Sequence, residues 1–498
     1  MTGFVYIAGA GPGDPGLLTL RAAEVISRAD IIFFDQLVDE RIRETFPPQA
    51  EQYFVGKEGG THFVTQERIL ELLVEEAQKG KQVVRLKGGD PYVFGRGGEE
   101  AEACAQAGIG FEIVPGVTAG VAAAAYAGMP VTHRDASASL AFITGHRRDD
   151  KEGLEIPAPQ ADTLVYYMGV KNLPAVVEAL LASGRKEGTP VALVRHGTTP
   201  RQETVTGTLQ DIVQKVEDQG LKPPAIIIVG DIVRYRDKLR WYDRRPLFGW
   251  TVLITRPRHQ AAELRQRLEE KGAGVMSVPA IEIQGLPDYT DLDRAMAGLS
   301  EFDYLVFTSV NGVDAFFQRL FEKGGDTRDL AGLTTVCIGP RTARELKSYS
   351  VNCDLMPEKF VAESLLESFP EDLSGKRVLI PRALEAREIL PEGLQERGAD
   401  VHLVPAYRTV GAEDVAEVPD HADIAVFTSS STVDHFLKRA RLPEGCRTAC
   451  IGPITAQTIR EHGLSVDIEA EAHTIPGVVE AIESFVKANK NQSGPTGH

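Results

Sequence analysis

The sequence predicts an α/β protein of several domains, and three observations support this. The chain has 498 residues, which at about 150 residues per domain corresponds to roughly three or four domains. Short β-branched runs alternate with helical patterns along almost the whole length, as in α/β architectures. The second half also contains an internal duplication. A hydrophobic content of 43% excludes wholesale disorder.

The strands of the first half are predicted from short apolar runs between turn-forming residues. They are Val5–Ile7, Ile31–Phe34, Val83–Leu86, Phe111–Val114, Leu140–Thr144, Thr163–Tyr167, Val191–Val194 and Ala225–Val229. Helices are predicted between them. One begins at Gln66 with Thr65 as its N-cap, buries Ile69 and Leu72 on one face, and ends at Gly80.

The alternating pattern lapses between Arg236 and Trp250, where the chain is charged and carries Pro246 and Gly249. Such a stretch is typical of a domain boundary. We therefore expect a first domain over residues 1–241, a linker over 242–250 and a second domain over 251–486. Residues 487–498 are expected to form a disordered tail.

The second half repeats itself. Three segments recur in the same order: Val252–Pro257 as Val378–Ala383, Val306–Ser309 as Val426–Ser429, and Cys337–Ala343 as Cys450–Ala456. The spacing between copies shrinks stepwise, which indicates that one βα unit was copied and its loops then changed length. Two copies are too few for a solenoid. The duplication predicts two similar α/β lobes around one cleft, a usual ligand site.

Charge and cysteine usage exclude several classes of function. Lys and Arg total 54 against 71 Asp and Glu, a formal net charge of −17, which disfavours binding to nucleic acid. No basic amphipathic segment, long apolar run or cationic leader is present, so we expect a cytoplasmic protein without a membrane partner. The five cysteines form no CxxC pair and the eleven histidines no HxxxH pair. Neither a metal site nor a disulfide framework is predicted.

Glycine-rich or polar loops follow most of the predicted strands of the first half. They are Gly9–Pro15, Asp35, Gly88–Pro91, Pro115–Ala119, Thr144–His146, Met168–Gly169 and Arg195–Pro200. Ligands of α/β sheets lie beyond the carboxyl ends of strands, and glycine lets the backbone approach a ligand closely. Tight turns alone would account for one such loop, but not for this many.

Gly11–Gly16 matches the pattern GxGxxG, and Asp35 follows where a ribose-binding acid would lie. One alternative is therefore a dinucleotide-dependent oxidoreductase fused to a two-lobed binding module. Pro12 and Pro15 disfavour it, because neither has an N–H to offer a pyrophosphate. Asp14 would also place a negative charge beside the phosphates. A second alternative, a non-enzymatic binding protein, would explain the two lobes of the second half but not the first half.

Five motifs in the first half carry a resemblance to a known family. They are Gly9–Pro15, Arg85–Glu100, Pro130–Asp135, Tyr167–Gly169 and Gly197–Pro200. With them, residues 5–241 resemble the uroporphyrinogen-III C-methyltransferases of the tetrapyrrole methylase family. The resemblance implies a two-lobed α/β fold and a homodimer formed through this domain. It also implies methylation of uroporphyrinogen III at C-2 and C-7 to precorrin-2, with S-adenosylmethionine converted to S-adenosylhomocysteine.

The same resemblance implies the residues of this site. The nucleotide would be bound by Pro12, Gly88, Gly89, Asp90, Val93, Thr118, Ala119, Met168 and Gly197. Asp35 matches a proton acceptor and Lys57 a proton donor. Arg96, Glu99 and Arg134 are candidates for holding the substrate, because arginine pairs bidentately with the carboxylates of a tetrapyrrole.

The second half carries motifs of another family. Ile254–Pro257, Phe307–Ser309, Val404–Thr409, Phe427–Ser430 and Ile451–Ala456 occur in an order and spacing that resemble uroporphyrinogen-III synthase. The resemblance implies two parallel-sheet lobes that interleave in sequence, the opening units of the first repeat packing with the end of the chain. A two-stranded ladder near 278–283 and 404–409 would join the lobes.

That family cyclises hydroxymethylbilane to uroporphyrinogen III, with inversion of ring D and loss of water. Tyr407, which replaces Ile281 of the other repeat, would then lie near the leaving hydroxyl and donate a proton to it. The expected substrate-binding residues are Thr308, Ser309, Thr342, Thr428, Ser429, Ser430 and Thr455. One domain would make the compound that the other consumes, so we expect a bifunctional enzyme of siroheme or cobalamin biosynthesis.

Overall fold

The computed structural model describes residues 3–56, 64–145, 156–357, 362–384, 389–411 and 418–492. The chain divides into two compact units. Unit 1 comprises Met1–Thr251, Arg267–Gly274 and Val486–His498, and unit 2 comprises Val252–Gln266 and Val275–Phe485. Both are mixed α/β structures with parallel strands, which confirms the predicted fold class.

The strands of unit 1 are β1 (Phe4–Gly9), β2 (Ile31–Phe34), β3 (Glu51–Phe54), β4 (Gln82–Lys87), β5 (Gly110–Val114), β6 (Leu140–Thr144), β7 (Thr163–Tyr167), β8 (Pro190–Arg195), β9 (Glu203–Thr208) and β10 (Ala225–Val229). Its helices are α1 (Leu20–Ser27), α2 (Glu40–Arg43), α3 (Gln66–Gln78), α4 (Gly97–Gln106), α5 (Ala119–Tyr126), α6 (Leu173–Ala182), α7 (Ile212–Asp218) and α8 (Arg236–Leu239).

The first sheet of unit 1 has the strand order β3-β2-β4-β1-β5, and every pairing in it is parallel. Successive residues of β2 alternate between two apolar clusters, with Ile31 and Phe33 on one face and Ile32 and Phe34 on the other. Helices therefore cover both faces, as expected for a parallel sheet. The carboxyl ends of all five strands lie along one edge.

The second sheet has the order β6-β7-β10-β8-β9. β6 and β7 are parallel, whereas β10 pairs antiparallel with both β7 and β8. All eight predicted strands are present, but β3 and β9 were not predicted. Both are edge strands, and Glu51, Gln52 and Tyr53 of β3 are exposed. Such strands carry no apolar run for a sequence pattern to reveal.

Helix α3 matches its prediction closely. Thr65 is the N-cap, and its side chain accepts a hydrogen bond from the Arg68 backbone N–H at 3.3 Å. Ile69 and Leu72 are buried on one face. Gly80 follows the helix in the left-handed conformation at φ +88°, the usual reason for glycine at such an end.

The strands of unit 2 are β11 (Thr251–Ile254), β12 (Gly274–Ser277), β13 (Ile281–Gln284), β14 (Tyr304–Phe307), β15 (Thr334–Cys337), β16 (Arg377–Ala383), β17 (Asp400–Gly411), β18 (Ile424–Phe427), β19 (Arg447–Cys450) and β20 (Ile468–Glu469). Its helices are α9 (Arg258–Glu270), α10 (Thr290–Ala297), α11 (Val310–Glu322), α12 (Pro340–Ser348), α13 (Ala362–Glu367), α14 (Ile389–Glu396), α15 (Ser430–Arg439), α16 (Pro453–Glu461) and α17 (Ile475–Gln492). A few terminal residues of these elements belong to unit 1.

The sheets of unit 2 interleave as the resemblance implied. One has the order β12-β11-β18-β19-β20, so the opening strands of the first repeat pair with the last strands of the chain. The other has the order β13-β17-β16-β14-β15. β13 and β17 pair antiparallel, with Ile281 opposite Gly411 and Ile283 opposite Thr409. This is the predicted two-stranded ladder.

The two repeats share details that the sequence comparison did not use. The Thr335 backbone N–H donates to the Asp354 carboxylate at 2.8 Å, and Thr448 donates to Asp467 at the same distance. These pairs occupy equivalent positions of β15 and β19. The duplication is therefore present in the structure as well as in the sequence.

Two parts of the predicted domain organisation differ from the structure. Residues 242–250, expected to be a linker, belong to unit 1, where Tyr242 and Leu247 are buried. The tail expected to be disordered from 487 is helical up to Gln492. Val478, Ile482 and Val486 are buried at helical spacing, and the next residues contain no glycine or proline to end the helix. No helix in the described ranges is both long and apolar enough to cross a bilayer.

Candidate functional sites

Five loops of unit 1 meet beyond the ends of its strands, and we call them the loop cluster: residues 9–16, 88–96, 115–120, 167–168 and 196–200. The first two are joined by backbone hydrogen bonds between Gly11 and Gly89, at 3.1 Å from the Gly11 N–H and 2.7 Å from the Gly89 N–H. The Asp90 carboxylate accepts the Gly116 N–H at 3.0 Å, which adds the third. Three neighbouring strand ends of the first sheet are thereby held together.

The remaining loops come from the second sheet of unit 1. The Asp14 backbone N–H donates to Thr198 Oγ1 at 3.1 Å. The Tyr167 hydroxyl lies 2.7 Å from Thr118 Oγ1 and accepts the Gly120 N–H at 2.8 Å. Burial raises the pKa of Tyr167, so its hydroxyl stays protonated near neutral pH. The loop cluster therefore draws on both sheets of unit 1.

Glycine is required where these loops cross. A Cβ on Gly9 would lie 2.5 Å from the Gly89 carbonyl oxygen, and one on Gly116 would lie 2.2 Å from the same atom. Any side chain at either position would displace backbone. Part of the glycine content thus serves loop-to-loop packing, independently of a ligand.

Strained backbone is concentrated in the same loops. The described part of the chain has six non-glycine residues with positive φ. Five of them lie in the loop cluster: Phe94, Arg96, Met168, His196 and Thr198. Such conformations cost about 1–3 kcal/mol each and collect at ligand sites. Met168 is 54% exposed despite being apolar, which leaves its side chain available for a contact.

All nine predicted nucleotide-binding residues lie in the loop cluster. The Asp90 carboxylate stabilises its own loop, because it also accepts the N–H groups of Tyr92 and Val93. Gly197 packs so closely on Ala123 that a Cβ would lie 2.2 Å from the alanine Cβ. Thr118 is the N-cap of α5 and Ala119 its first residue. Their ligand contacts stay predictions.

Within the GxGxxG segment, the Asp14 carboxylate is already used in hydrogen bonds. The Asp14 carboxylate accepts the Gly16 N–H at 2.8 Å and the Tyr126 hydroxyl at 2.7 Å. Asp14 also begins a short 3₁₀ turn over Pro15–Leu17. A pyrophosphate would have to compete with this carboxylate for the N–H groups of the turn.

Asp35 follows β2 and borders a buried cluster of charges. Its Oδ2 lies 3.3 Å from Arg85 Nη2, and its Oδ1 accepts the Leu37 N–H at 3.0 Å. Glu100 Oε1 accepts from both Arg85 Nε at 3.0 Å and Lys87 Nζ at 2.8 Å. The Glu100 side chain is fully buried. Burial, and then the Arg85 charge, lower the pKa of Lys87.

Sequence patterns did not single out this buried charge cluster. Arg85 and Lys87 alternate with apolar residues along β4, which places them on one face of the sheet. Two charged residues alternating with apolar ones in an otherwise apolar strand could have indicated this buried charge cluster from the sequence. Tyr167 was likewise missed as a partner of Thr118.

The other predicted residues of this domain are more scattered. Lys57 lies outside the described residues. Arg96 and Glu99 bind each other, with Nη2 to Oε2 at 2.7 Å, and both are about half exposed. Arg134 is exposed. Their roles toward a substrate stay predictions, and for Arg96 and Glu99 the role would require their mutual salt bridge to open.

In unit 2 the structure brings Tyr407 and Ser309 together. Their hydroxyl oxygens lie 3.0 Å apart, and the nearby Asn311 side chain, like Ser309, acts to lower the Tyr407 pKa. Burial raises the pKa of Tyr407. Ser309 is the N-cap of α11, where its Oγ accepts the Gly312 N–H at 3.0 Å. The tyrosine hydroxyl therefore stays protonated near neutral pH and is held by a fixed helix end.

The equivalent serine of the second repeat behaves in the same way. Ser429 is the N-cap of α15 and accepts the Thr432 N–H at 3.3 Å. Ser430 accepts from the Thr458 hydroxyl at 2.9 Å. Thr308 and Thr428 follow β14 and β18 and are partly exposed. Thr342 and Thr455 are each 4% exposed, and their contacts with a substrate stay predictions.

Comparison with known proteins separates the same two halves. The family of tetrapyrrole (corrin/porphyrin) methylases matches residues 5–213, and uroporphyrinogen-III synthase HemD matches residues 262–480. A porphyrin biosynthesis protein HemD of Ruminiclostridium josui is 37% identical over 493 residues, which is 96% of this chain and 97% of that protein.

Two further relatives match mainly the first half. A uroporphyrinogen-III C-methyltransferase of Bacillus subtilis (strain 168) is 40% identical over 70% of this chain and 72% of its own length. A crystal structure of uroporphyrin-III C-methyl transferase from Thermus thermophilus, complexed with S-adenyl homocysteine, is 40% identical with a TM-score of 0.40. It aligns to 47% of this chain and 99% of its own. The chain thus belongs to the tetrapyrrole methylase family in its first half and to the uroporphyrinogen-III synthase family in its second.

Proposed function

We propose that this protein catalyses two consecutive steps of tetrapyrrole biosynthesis. The second half converts hydroxymethylbilane to uroporphyrinogen III, with inversion of ring D and loss of water. The first half transfers two methyl groups from S-adenosylmethionine to C-2 and C-7 of uroporphyrinogen III and releases precorrin-2. The observation that carries this proposal is the concentration of strained backbone in the loop cluster of a tetrapyrrole methylase domain.

The loop cluster fits a nucleoside that carries no phosphate. The Gly16 N–H is already bonded to the Asp14 carboxylate, and the Asp90 carboxylate also lies within the cluster. S-adenosylmethionine is a sulfonium cation, and it supplies an activated methyl group when bound. Transfer to an electron-rich pyrrole carbon is a direct displacement, so the protein contributes chiefly positioning. Met168 and the hydroxyl of Thr118 are available for that.

After methylation the macrocycle is a cation that must lose a proton. In this proposal Asp35 accepts it, since its carboxylate is at the mouth of β2 and 24% exposed. Arg85 keeps the carboxylate oriented. Lys57 returns a proton elsewhere on the macrocycle, as the family resemblance implies. Proton transfer of this kind contributes about 10²–10⁴-fold.

In the second half the leaving group of hydroxymethylbilane is a hydroxyl, which departs as water only when protonated. Tyr407 donates that proton in this proposal, because it is neutral, 7% exposed and held by Ser309 and Asn311. The two halves then form a sequence, since the product of one reaction is the substrate of the other.

A single incubation tests the whole proposal. Purified protein is given hydroxymethylbilane with and without S-adenosylmethionine, and the products are separated by isomer and mass. We expect uroporphyrinogen III without the methyl donor and a doubly methylated product with it. Uroporphyrinogen I alone, which forms without an enzyme, would contradict the synthase assignment. An unmethylated product with the donor present would contradict the methyltransferase assignment.

The dinucleotide-dependent oxidoreductase makes the opposite prediction in calorimetry. We expect S-adenosylhomocysteine to bind and NAD not to bind, because Asp14 occupies the donors that a pyrophosphate would need. Micromolar binding of NAD without binding of S-adenosylhomocysteine would reverse the assignment. A cytoplasmic homodimer formed through the methylase domain belongs to the same proposal, and sedimentation of the purified chain tests the dimer.

A further inference from the structure

Arg256 is a buried cation just beyond the carboxyl end of β11, and one nitrogen of its guanidinium has no hydrogen-bond partner among the described residues. The residue is only 7% exposed. Its Nη2 donates to Gln260 Oε1 at 3.0 Å, whereas the buried Nη1 has no acceptor on any described residue. Arginine cannot lose its proton to relieve burial. An unpaired nitrogen of this kind is therefore costly unless an anion binds it.

The charges around Arg256 increase that cost. Burial and then the Arg341 charge lower the pKa of Arg256 to about 10, and Glu263 offsets only part of this. Two arginines thus lie close together, and Arg256 makes no salt bridge with a described carboxylate. The local field favours an anionic ligand even though the chain as a whole is acidic.

Arg256 is fixed in position by its neighbours. The preceding residue, Thr255, is fully buried and donates its hydroxyl to the Val426 carbonyl at 2.9 Å. Ile254 pairs with Val426 in the parallel register of β11 and β18. Arg256 and Thr428 are each two residues beyond this pair, past the carboxyl ends of the neighbouring strands β11 and β18. Thr428 and the next residue are among those expected to hold the substrate.

Polar side chains link Arg256 to the neighbourhood of the proposed proton donor. Gln260 accepts from Arg256 and donates through Nε2 to Asn311 Oδ1 at 2.6 Å. Asn311 is near enough to Tyr407 to lower its pKa, and the Tyr407 hydroxyl is 3.0 Å from Ser309 Oγ. An anion bound by Arg256 would therefore lie among the polar groups around Tyr407.

We propose that Arg256 binds a carboxylate of the linear tetrapyrrole through its unpaired Nη1. The inference rests on the synthase activity proposed above and adds a substrate-binding residue to it. Guanidinium matches a carboxylate bidentately, and hydroxymethylbilane carries eight carboxylates. Gln260 then acts as a positioning residue, because it holds the other terminal nitrogen of the guanidinium and couples it to Asn311.

Steady-state kinetics of the full chain test this with three variants. Arg256→Gln should raise KM for hydroxymethylbilane by about 10- to 100-fold, and Arg256→Lys should raise it less. Arg294→Gln is the matched control, since it removes one charge from an exposed arginine of the same unit and should leave KM unchanged. An unchanged KM in Arg256→Gln would overturn the proposal.

Thermal melting separates binding from a structural role without using turnover. The octacarboxylate uroporphyrin III should raise the Tm of the wild type and should raise that of Arg256→Gln much less. Without ligand the variant should melt at or above the wild type, because an unpaired buried charge has been removed. A lower ligand-free Tm with an unchanged response to uroporphyrin III would overturn the proposal. So would equal stabilisation by inorganic phosphate.

The two readouts also distinguish this inference from the proposed function. Binding of uroporphyrin III that depends on Arg256, in a protein that makes no uroporphyrinogen III, would refute the synthase activity and support the carboxylate site. If Arg256→Gln forms uroporphyrinogen III with an unchanged KM, the synthase activity is supported and the carboxylate site is refuted.

Discussion

Arg85 Nη2 lies 3.3 Å from Asp35 Oδ2, and Arg85 is the cation that contacts this carboxylate among the described residues. The pair arises from parallel register, in which Phe33 of β2 is opposite Arg85 of β4. Arg85 is itself held by Glu100. The proposed proton acceptor is thus oriented by a buried cation.

Replacing Asp35 should separate catalysis from folding. In Asp35→Asn we expect methyl transfer to fall by about 10²-fold or more, with S-adenosylhomocysteine binding and Tm nearly unchanged, because the side chain is partly exposed. Lys57→Met should also slow turnover. Single-turnover methylation and calorimetry measure both effects. Normal turnover in both variants would refute the proton-transfer roles, and a destabilised protein with normal turnover would mean a structural ion pair.

Glu100 and Glu99 form a matched pair for stability. Glu100→Gln leaves Arg85 and Lys87 buried without their shared carboxylate, so the free energy of unfolding should fall by about 3–5 kcal/mol. Glu99→Gln breaks an exposed salt bridge and should cost at most about 1 kcal/mol. Urea unfolding followed by tryptophan fluorescence suits this test, since Trp241 and Trp250 are both in unit 1. Equal losses in the two variants would contradict the buried-charge argument.

Tyr407→Phe should affect only the second half. We expect synthase turnover to fall by about 10²-fold or more, because the proton donor is lost, while methyl transfer from supplied uroporphyrinogen III stays normal. The control is Ser309→Ala, which keeps the phenol but removes its 3.0 Å partner and should have a smaller effect. Full synthase turnover in Tyr407→Phe would leave this tyrosine a packing residue of the ladder.

The thiols should differ in reactivity. A hydrogen bond from the Cys337 thiol lowers the pKa of Cys353, whereas burial raises those of Cys104, Cys446 and Cys450. Because the thiolate is the nucleophile, iodoacetamide near neutral pH should alkylate Cys353 first, as read by peptide mass spectrometry. Cys353→Ser should remove this fast phase. First modification at Cys446 would contradict the assignment.

The segment first expected to be a linker should matter to the methylase site. The Tyr242 hydroxyl donates to the Thr198 carbonyl at 3.3 Å, and its ring lies 4.8 Å from that of Tyr126. Both partners touch the loop cluster. A fragment over residues 1–250 should therefore bind S-adenosylhomocysteine more tightly than one over 1–240, as measured by calorimetry. Equal affinities would restore the boundary at 241.

Local pattern was sufficient for much of the fold. Each central strand is a continuous apolar run because it is buried on both faces, and β2 and β10 were predicted for that reason. The ends of helix α3 were predicted correctly because both depend on nearby residues. Thr65 accepts the Arg68 N–H at the start, and Gly80 adopts the left-handed conformation just after the end. Glycine loops indicated a ligand site at the strand ends, and the family resemblance then assigned the nucleotide-binding residues, which stay predictions. The duplication revealed the two-lobed second half.

Tertiary structure decided the rest, since the remaining features depend on contacts between distant residues. The edge strand β3 has no apolar run and exists because β2 offers it hydrogen bonds. The pairing of Asp35 with Arg85 depends on the register of two strands that are neighbours only in space. That Arg256 is buried near Arg341 with its Nη1 unpaired is visible only in the packed chain. Sequence spacing encodes periodicity and caps, whereas the partner of a buried charge is settled only when the chain packs.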